Sequence, residues 1–221
     1  ELVAECYTAD DLDGKAACKK ALQKEFGLAD TELPVIGIIS RLADQKGFDL
    51  LAGTAEAILD MGCQLVVLGT GDKKYQEYFT GLKQKFPAGV GVMIGFDNAL
   101  SHRIEAGADM FLMPSRYEPC GLNQMYSLKY GTIPIVRAVG GLDDTVEDYD
   151  PRTGRGNGFK FREYTPAALL DAVQRSVELY KNRQAWGKLV LRAMACDFSW
   201  GASARKYAAL YERIRNKNEN I

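Results

Sequence analysis

Residues 110–131 read MFLMPSRYEPCGLNQMYSLKYG. The four apolar residues Met110-Phe111-Leu112-Met113 have the character of a strand buried on both faces. Pro114 closes that run, a turn carrying the lone acid Glu118 follows, and Leu122–Tyr130 has the character of a helix stopped by Gly131. Strand, acid-bearing turn and helix form the repeating unit of an open parallel sheet, where ligands bind beyond the carboxyl ends of the strands. Amides at a helix start lack intrahelical partners and sit at the positive end of its dipole, which favours an anionic or polyhydroxyl ligand. Two readings of Glu118 stand side by side. It grips sugar hydroxyls while the amides of Gly121, Leu122 and Asn123 hold phosphate, or it caps its helix locally, worth about 0.3–1 kcal/mol.

The same unit recurs on either side. Apolar runs at Leu33–Ser40, Gln64–Leu68, Val90–Ile94, Asp109–Met113 and Ile133–Arg137 read as strands, with a brief edge-like strand at Asn157–Phe161. Helical spacing covers Asp13–Phe26, Phe48–Met61, Lys73–Phe86, Asn98–Ala106 and Leu122–Tyr130, and three further helices close the chain at Thr165–Tyr180, Asn182–Cys196 and Gly201–Asn216. Strands alternating with helices predict an α/β fold, a Rossmann-like parallel sheet with helices on both faces. Residues 1–12 read as a connecting segment, and the polar loop Asp143–Gly158 joins elements rather than domains, so a single domain spanning 1–221 is expected. The chain begins without Met, at Glu1, in what reads as mid-protein sequence, and a fragment of a longer protein is expected.

Composition narrows the function classes. With 47% hydrophobic and 26% charged residues, the 221-residue chain falls in the soluble globular range and can bury a substantial core. A net charge of −1 leaves no electrostatic footprint for nucleic acid or an anionic membrane. Five scattered cysteines without a CxxC pair, and a single histidine, argue against a zinc site and for a reducing compartment. No signal peptide and no membrane-spanning apolar run is visible, so a cytoplasmic protein is expected.

A second constellation lies at Arg41-Leu42-Ala43-Asp44-Gln45-Lys46-Gly47, directly after the first strand. There a guanidinium and an ammonium stand at the same sheet edge as Glu118, where they can neutralise a diphosphate, including a departing nucleoside diphosphate. The plain alternative is that both cations solvate a loop and pair with Asp44 or Asp49, contacts worth about 0–1 kcal/mol. Gly69-Thr70-Gly71 lacks the third glycine of a dinucleotide fingerprint, and no GxxxxGK[ST] loop exists. Gly140-Gly141 either admits a ligand close to the backbone or supplies a turn. His102 reads as a packed or capping histidine. Cys120 sits in the acid-bearing turn but has no histidine nearby in sequence to activate it. Phe96, at the end of the third strand, either stacks on a base or belongs to the core.

Three long blocks carry a resemblance: ISRLADQKGFDLL (39–51), GADMFLMPSRYEPCGLNQMYSLKYGT (107–132) and PIVRAVGGLDDTV (134–146). They closely resemble the bacterial glycogen and starch synthases, retaining glucosyltransferases that use ADP-glucose. CYTADDLDGKAACKKALQKEFGL (6–28) is similar to the segment linking that family's two halves. The resemblance covers essentially the whole chain, and only the carboxyl-terminal half of such an enzyme. It implies the carboxyl-terminal, donor-binding domain of a GT-B glycosyltransferase. The absent amino-terminal domain would supply most of the surface for the α-1,4-glucan acceptor. It further implies that Arg41 and Lys46 contact the diphosphate and that Glu118 contacts the glucose hydroxyls. Cys120 and the backbone of Gly121, Leu122 and Asn123 then line the sugar and phosphate pocket, while Phe96 lies against the adenine. Many retaining relatives carry a second Glu eight residues after the first, where this chain has Tyr126. No cofactor and no metal are implied. A UDP-glucose-using GT-B transferase and a non-catalytic nucleotide- or glucan-binding module remain the competing readings.

Overall fold

A computed structural model describes residues 2–218. Its helices and strands follow one another as α1 (Asp13–Phe26), β1 (Val35–Ile39), α2 (Phe48–Ala52), α3 (Ala55–Asp60), β2 (Gln64–Gly69), α4 (Lys73–Lys85), β3 (Val90–Ile94) and α5 (Asn98–Gly107). The second half continues with β4 (Met110–Met113), α6 (Asn123–Lys129), β5 (Ile133–Arg137), α7 (Gly140–Thr145), β6 (Phe159–Phe161), α8 (Pro166–Lys181), α9 (Arg183–Met194) and α10 (Trp200–Asn218). The strands form one sheet in the order β3-β2-β1-β4-β5-β6. All five pairings are parallel, with Ile36 opposite Leu65 on one side of β1 and opposite Met110 on the other. The Rossmann-like α/β expectation therefore holds.

Side-chain alternation builds the two faces. Ile36 and Ile38 of β1 and Leu65 and Val67 of β2 enter the larger core with α2, α3, α4, α8 and α9. Their neighbours Val35, Ile39, Val66 and Leu68 point the other way, onto Leu22 of α1 and Leu100 and Ile104 of α5. Near-complete burial on both sides is why these strands are continuous apolar runs rather than alternating ones.

One local expectation is corrected. The single helix expected over Phe48–Met61 is broken at Gly53-Thr54 into α2 and α3. Thr54 Oγ1 donates back to the Leu50 carbonyl at 3.0 Å, a local bond that competes with helix continuation. At Gly140-Gly141 the turn reading holds, with Gly140 at φ +47°, and the chain runs from there directly into the short helix α7, Gly140 to Thr145. Thr145 Oγ1 closes it by donating to the Gly141 carbonyl at 2.5 Å.

The winding direction changes at β1. The chain moves outward through β2 to β3 and then returns through α5 to β4, on the other side of β1. A crevice opens between the carboxyl ends of β1 and β4, because the connections leaving those two strands diverge.

Candidate active site

The crevice has two connected parts. One cavity of about 360 Å³ is lined by residues after β1, including Ser40, Arg41 and Lys46, and by residues after β4, including Ser115 and Glu118. A second, of about 610 Å³, extends towards the ends of β2 and β3 and reaches Phe96, His102, Glu105 and Tyr126. Ile39, Ser40, Arg41 and Asn123 line both.

Glu118 is brought to Lys46 across the crevice. Lys46 Nζ donates to Glu118 Oε2 at 2.5 Å, and Ser115 Oγ donates to the same oxygen at 3.2 Å. Glu118 is 8% exposed and Ser115 is buried, so the carboxylate is held by two neighbours and still borders the cavity. Among the described residues it makes no bond to an amide of α6, so the local-cap reading finds no support here. Lys46 leads into Gly47, whose φ of +78° lies in the left-handed region and whose Cβ, if present, would meet the Pro114 carbonyl oxygen at 2.0 Å. That close backbone approach brings the lysine turn against the acid-bearing turn.

Arg41 is exposed, and its Nη2 donates to Gln45 Oε1 at 3.0 Å. The acids that a loop-solvating Arg41 or Lys46 would use are engaged elsewhere. Asp44 pairs with Lys74 at 2.6 Å and accepts from Tyr75, bonds that hold its carboxyl below the ordinary range. Asp49 pairs with Arg116 at 2.8 Å and accepts from the Tyr164 hydroxyl. Among the described residues, then, Arg41 has no ion pair and Lys46 pairs only with Glu118, which leaves Arg41 as the uncompensated charge of the three at the cavity mouth.

The turn after Glu118 is clamped by α7. The Gly141 amide donates to the carbonyls of Glu118 and Pro119, both at 3.2 Å, and a Cβ on Gly141 would meet the Cys120 carbonyl oxygen at 1.9 Å. Gly121, at φ +71°, turns the chain into α6, and Gly121, Leu122 and Asn123 all line the smaller cavity. The Asn123 side chain donates to the Ile39 carbonyl at 3.0 Å and so ties the start of α6 to the end of β1. Cys120 is exposed, its Sγ donates to the Gly121 carbonyl at 3.4 Å, and it lies outside the lining of both cavities. Phe96 projects at the rim of the larger cavity and is 89% exposed, so the core reading of that ring is set aside.

Three contributors carry little or no signal in the sequence. Ser115 has no pattern that separates it from a turn serine. Gly47 reads only as the start of a helix, because its contact partner lies 67 positions along the chain. Glu105 sits among the buried residues of α5, between Ile104 and Ala106, and its burial pushes its pKa up to about 8. The described residues contain no group of three or more His, Cys, Asp or Glu side chains arranged to hold a metal ion, and no helix long and apolar enough to cross a membrane.

Comparison with known proteins gives a consistent answer. The sequence pattern of the glycosyl transferases group 1 family matches residues 19–190. The chain is 53% identical over 213 residues to a glycogen synthase of Koribacter versatilis, covering 96% of this chain and 44% of that protein. It is 56% identical over 209 residues to a glycogen synthase of Anaeromyxobacter dehalogenans, covering 94% of this chain and 44% of that protein. The fold matches the catalytic domain of starch synthase IV from Arabidopsis thaliana, solved with ADP and acarbose, at a TM-score of 0.88 and 39% identity, over 96% of this chain and 45% of that one. Sucrose-phosphate synthase from Thermosynechococcus elongatus shares the fold at a TM-score of 0.63 and 24% identity, over 89% of this chain and 49% of that one. The chain thus spans a little under half the length of the relatives it matches.

Proposed function

The chain belongs to the glycosyl transferases of group 1, and from that premise we propose that it is the donor-binding, carboxyl-terminal half of a cytoplasmic glycogen or starch synthase. Such an enzyme moves glucose from ADP-glucose to the non-reducing end of an α-1,4-glucan with retention at the anomeric carbon. The observation that carries this reading is the placement of Arg41, Lys46 and Glu118 around one crevice at the β1–β4 switch point, with both cations free of the aspartates beside them. Identity above half to glycogen synthases supports the substrate class, and the ADP bound by the starch synthase neighbour supports the nucleotide.

Each group has a task in that reaction. The bond from the glucose anomeric carbon to the diphosphate oxygen breaks, and negative charge grows on the departing ADP. Arg41 and Lys46 stand where that charge develops, together with the amides from Gly121 to Asn123, and fixed groups of this kind need no reorganisation as the bond lengthens. The anomeric carbon gains oxocarbenium character, which the Glu118 carboxylate supports electrostatically while orienting the sugar hydroxyls. The acceptor hydroxyl then bonds to the same face that the diphosphate left, and its proton passes to the diphosphate. No metal is needed to neutralise the leaving group. The acceptor surface belongs to the remainder of the longer enzyme, so the chain alone binds nucleotide and transfers no glucose.

Titration calorimetry with ADP, UDP and ADP-glucose in EDTA-containing buffer tests the reading. ADP binding without metal, tighter than UDP, is expected. Binding of neither nucleotide by a folded sample, or a clear preference for UDP, would overturn it.

A further inference from the structure

Gln124 of α6 turns its side chain back onto the backbone that precedes it. It is fully buried, and its Nε2 donates to the carbonyls of Cys120 at 3.1 Å and of Gly121 at 3.0 Å. Thr145 Oγ1 of α7 lies 3.2 Å from the same nitrogen; it already donates to the Gly141 carbonyl, so here it accepts. Gln124 Oε1, by contrast, is the one buried side-chain oxygen or nitrogen that lacks a hydrogen-bond partner among the described residues. An oxygen left in that state destabilises the fold, and an apolar side chain of the same length would fill the space without one. The gain must therefore come from the nitrogen, through the two carbonyls that it holds.

Those two carbonyls decide which way two amides point. In a trans peptide unit the C=O and N–H groups point in opposite directions, and the described chain contains no cis bond. Drawing the Cys120 carbonyl towards Gln124 turns the Gly121 N–H away from it, and holding the Gly121 carbonyl does the same to the Leu122 N–H. The carbonyls of Glu118 and Pro119 are held in turn by the Gly141 amide of α7. Four consecutive carbonyls are thus bonded to α7 or to Gln124. Gly121 and Leu122 line the smaller cavity with Arg41 and Lys46, and among the described residues neither of their amides has an acceptor. Gly121 has φ +71°, and Leu122 follows with φ −119° and ψ −35°, left-handed and then right-handed. Successive residues of opposite hand gather their N–H groups into a concave nest that binds anions.

We propose that Gln124 is a positioning residue for the donor: by holding the Cys120 and Gly121 carbonyls inward, it aims the Gly121 and Leu122 amides at a phosphate of the bound nucleotide. The inference rests on the donor-half reading and deepens it, since it names the side chain that sets the amides which that reading assigns to phosphate. Gln124 lines neither cavity, so it acts through the backbone and not on the ligand. Lys46 shares its ammonium with Glu118, whereas the two amides are unshared and are fixed before a ligand arrives.

Calorimetry and amide NMR with ADP, in EDTA-containing buffer, test this on the chain and two variants. In the unmodified chain ADP should move the Gly121 and Leu122 amide proton signals downfield, the direction of a new bond to phosphate. Gln124→Met keeps the length without a donor and should bind ADP about 10- to 100-fold more weakly, the scale of one hydrogen bond to a charged group. At saturating ADP that variant should also lose the downfield shift at both amides. Gln124→Glu fills the same space with acceptors only, should show the same losses at neutral pH, and substitutes for the Met variant if that one does not fold. Unchanged ADP affinity in a folded variant, or ADP binding to the unmodified chain that leaves both amide signals in place, would overturn the role of Gln124 while leaving the donor-half reading intact. Weaker binding with both signals still shifting would mark a merely structural brace and overturn that role too. Absence of any ADP binding to the folded, unmodified chain would instead overturn the donor-half reading, and this inference with it.

Discussion

Replacing Glu105 with Gln should stabilise the protein at neutral pH, although the substitution removes a charged residue type from the interior. In the folded chain burial raises the carboxyl from 4.5 to about 8, with Lys15 pulling only partly the other way. A raised folded-state pKa means that the unfolded chain gives up its proton first as pH rises. The contribution of Glu105 to stability is therefore at its best below pH 4.5 and is lost progressively as pH rises to about 8. At about 1.4 kcal/mol per pH unit, the interval from pH 5 to pH 8 has a ceiling of about 4 kcal/mol. The carboxyl borders a water-accessible cavity, which reduces the effect to about 2 kcal/mol, or roughly 4–8 °C in melting temperature for a chain of this length. Glutamine has no proton to lose and should flatten that slope, matching the unmodified chain near pH 5 and exceeding it by about 2 kcal/mol near pH 8. Urea unfolding followed by circular dichroism at several pH values over that range measures both curves. The series stops at about pH 8, where Lys15 begins to titrate; burial lowers it from 10.5 to about 8, so its contribution recovers as pH rises beyond that point and would mask the slope. Parallel curves for the two proteins would refute the claim that Glu105 is held neutral by burial.

The remaining expectations concern the crevice. Lys46→Ala should weaken ADP binding by about 10- to 100-fold, the scale of one charge-assisted hydrogen bond, and added Mg²⁺ should not restore it in calorimetry; unchanged affinity would remove Lys46 from the phosphate site. Phe96→Ala should cost about tenfold in ADP affinity with no change in unfolding free energy, because the ring is 89% exposed in the free protein. In the longer enzyme that contains the acceptor half, Glu118→Gln should lower kcat by about 100-fold or more while ADP affinity changes less than about threefold; parallel losses would mark a structural role. Gly141→Ala should destabilise the fold by about 1–3 kcal/mol and weaken ADP binding together, since its Cβ would meet the Cys120 carbonyl at 1.9 Å; a melting temperature within about a degree of the unmodified chain would show that α7 moves away freely.

Much of this molecule is legible from its residues because a doubly covered parallel strand needs an apolar run. Ile133–Arg137 coincides with β5 for that reason, Val90–Ile94 coincides with the edge strand β3 although Met93 there is exposed, and Asp13–Phe26 coincides with α1, stopped at Gly27 in the left-handed region. The crevice is legible for a related reason, since strand–turn–helix order puts Arg41, Lys46 and Glu118 on one edge before any contact is known. Strand order is not legible, because pairing of β1 with β4 is a choice among long-range contacts that no local pattern records. Nor is the break between α2 and α3, where one Thr54 hydroxyl bond outweighs an otherwise helical apolar spacing. Glu105 escapes notice because an acid within a helix reads as a solvated residue until its neighbours Ile104 and Ala106 are seen to be buried.

The crevice is specified more by backbone contact than by its charged side chains. Gly47 lies against the Pro114 carbonyl and Gly141 against the Cys120 carbonyl, at separations that admit no Cβ, so the acid-bearing turn is held between two backbone segments. Ser115 and Lys46 then need only orient the Glu118 carboxylate within a frame that already exists. Catalysis by fixed charge requires this, because groups that must first be moved into place spend binding energy on their own reorganisation. It also separates two kinds of damage. Loss of a charged side chain leaves the frame standing and removes one interaction with the ligand, whereas a methyl group added to either glycine displaces Glu118 along with everything it touches. The wider end of the crevice lacks a comparable clamp, and the Phe96 ring stands almost fully exposed there. On the donor-half proposal, rigidity lies where the bond breaks and the exposed ring lies where the nucleotide is recognised.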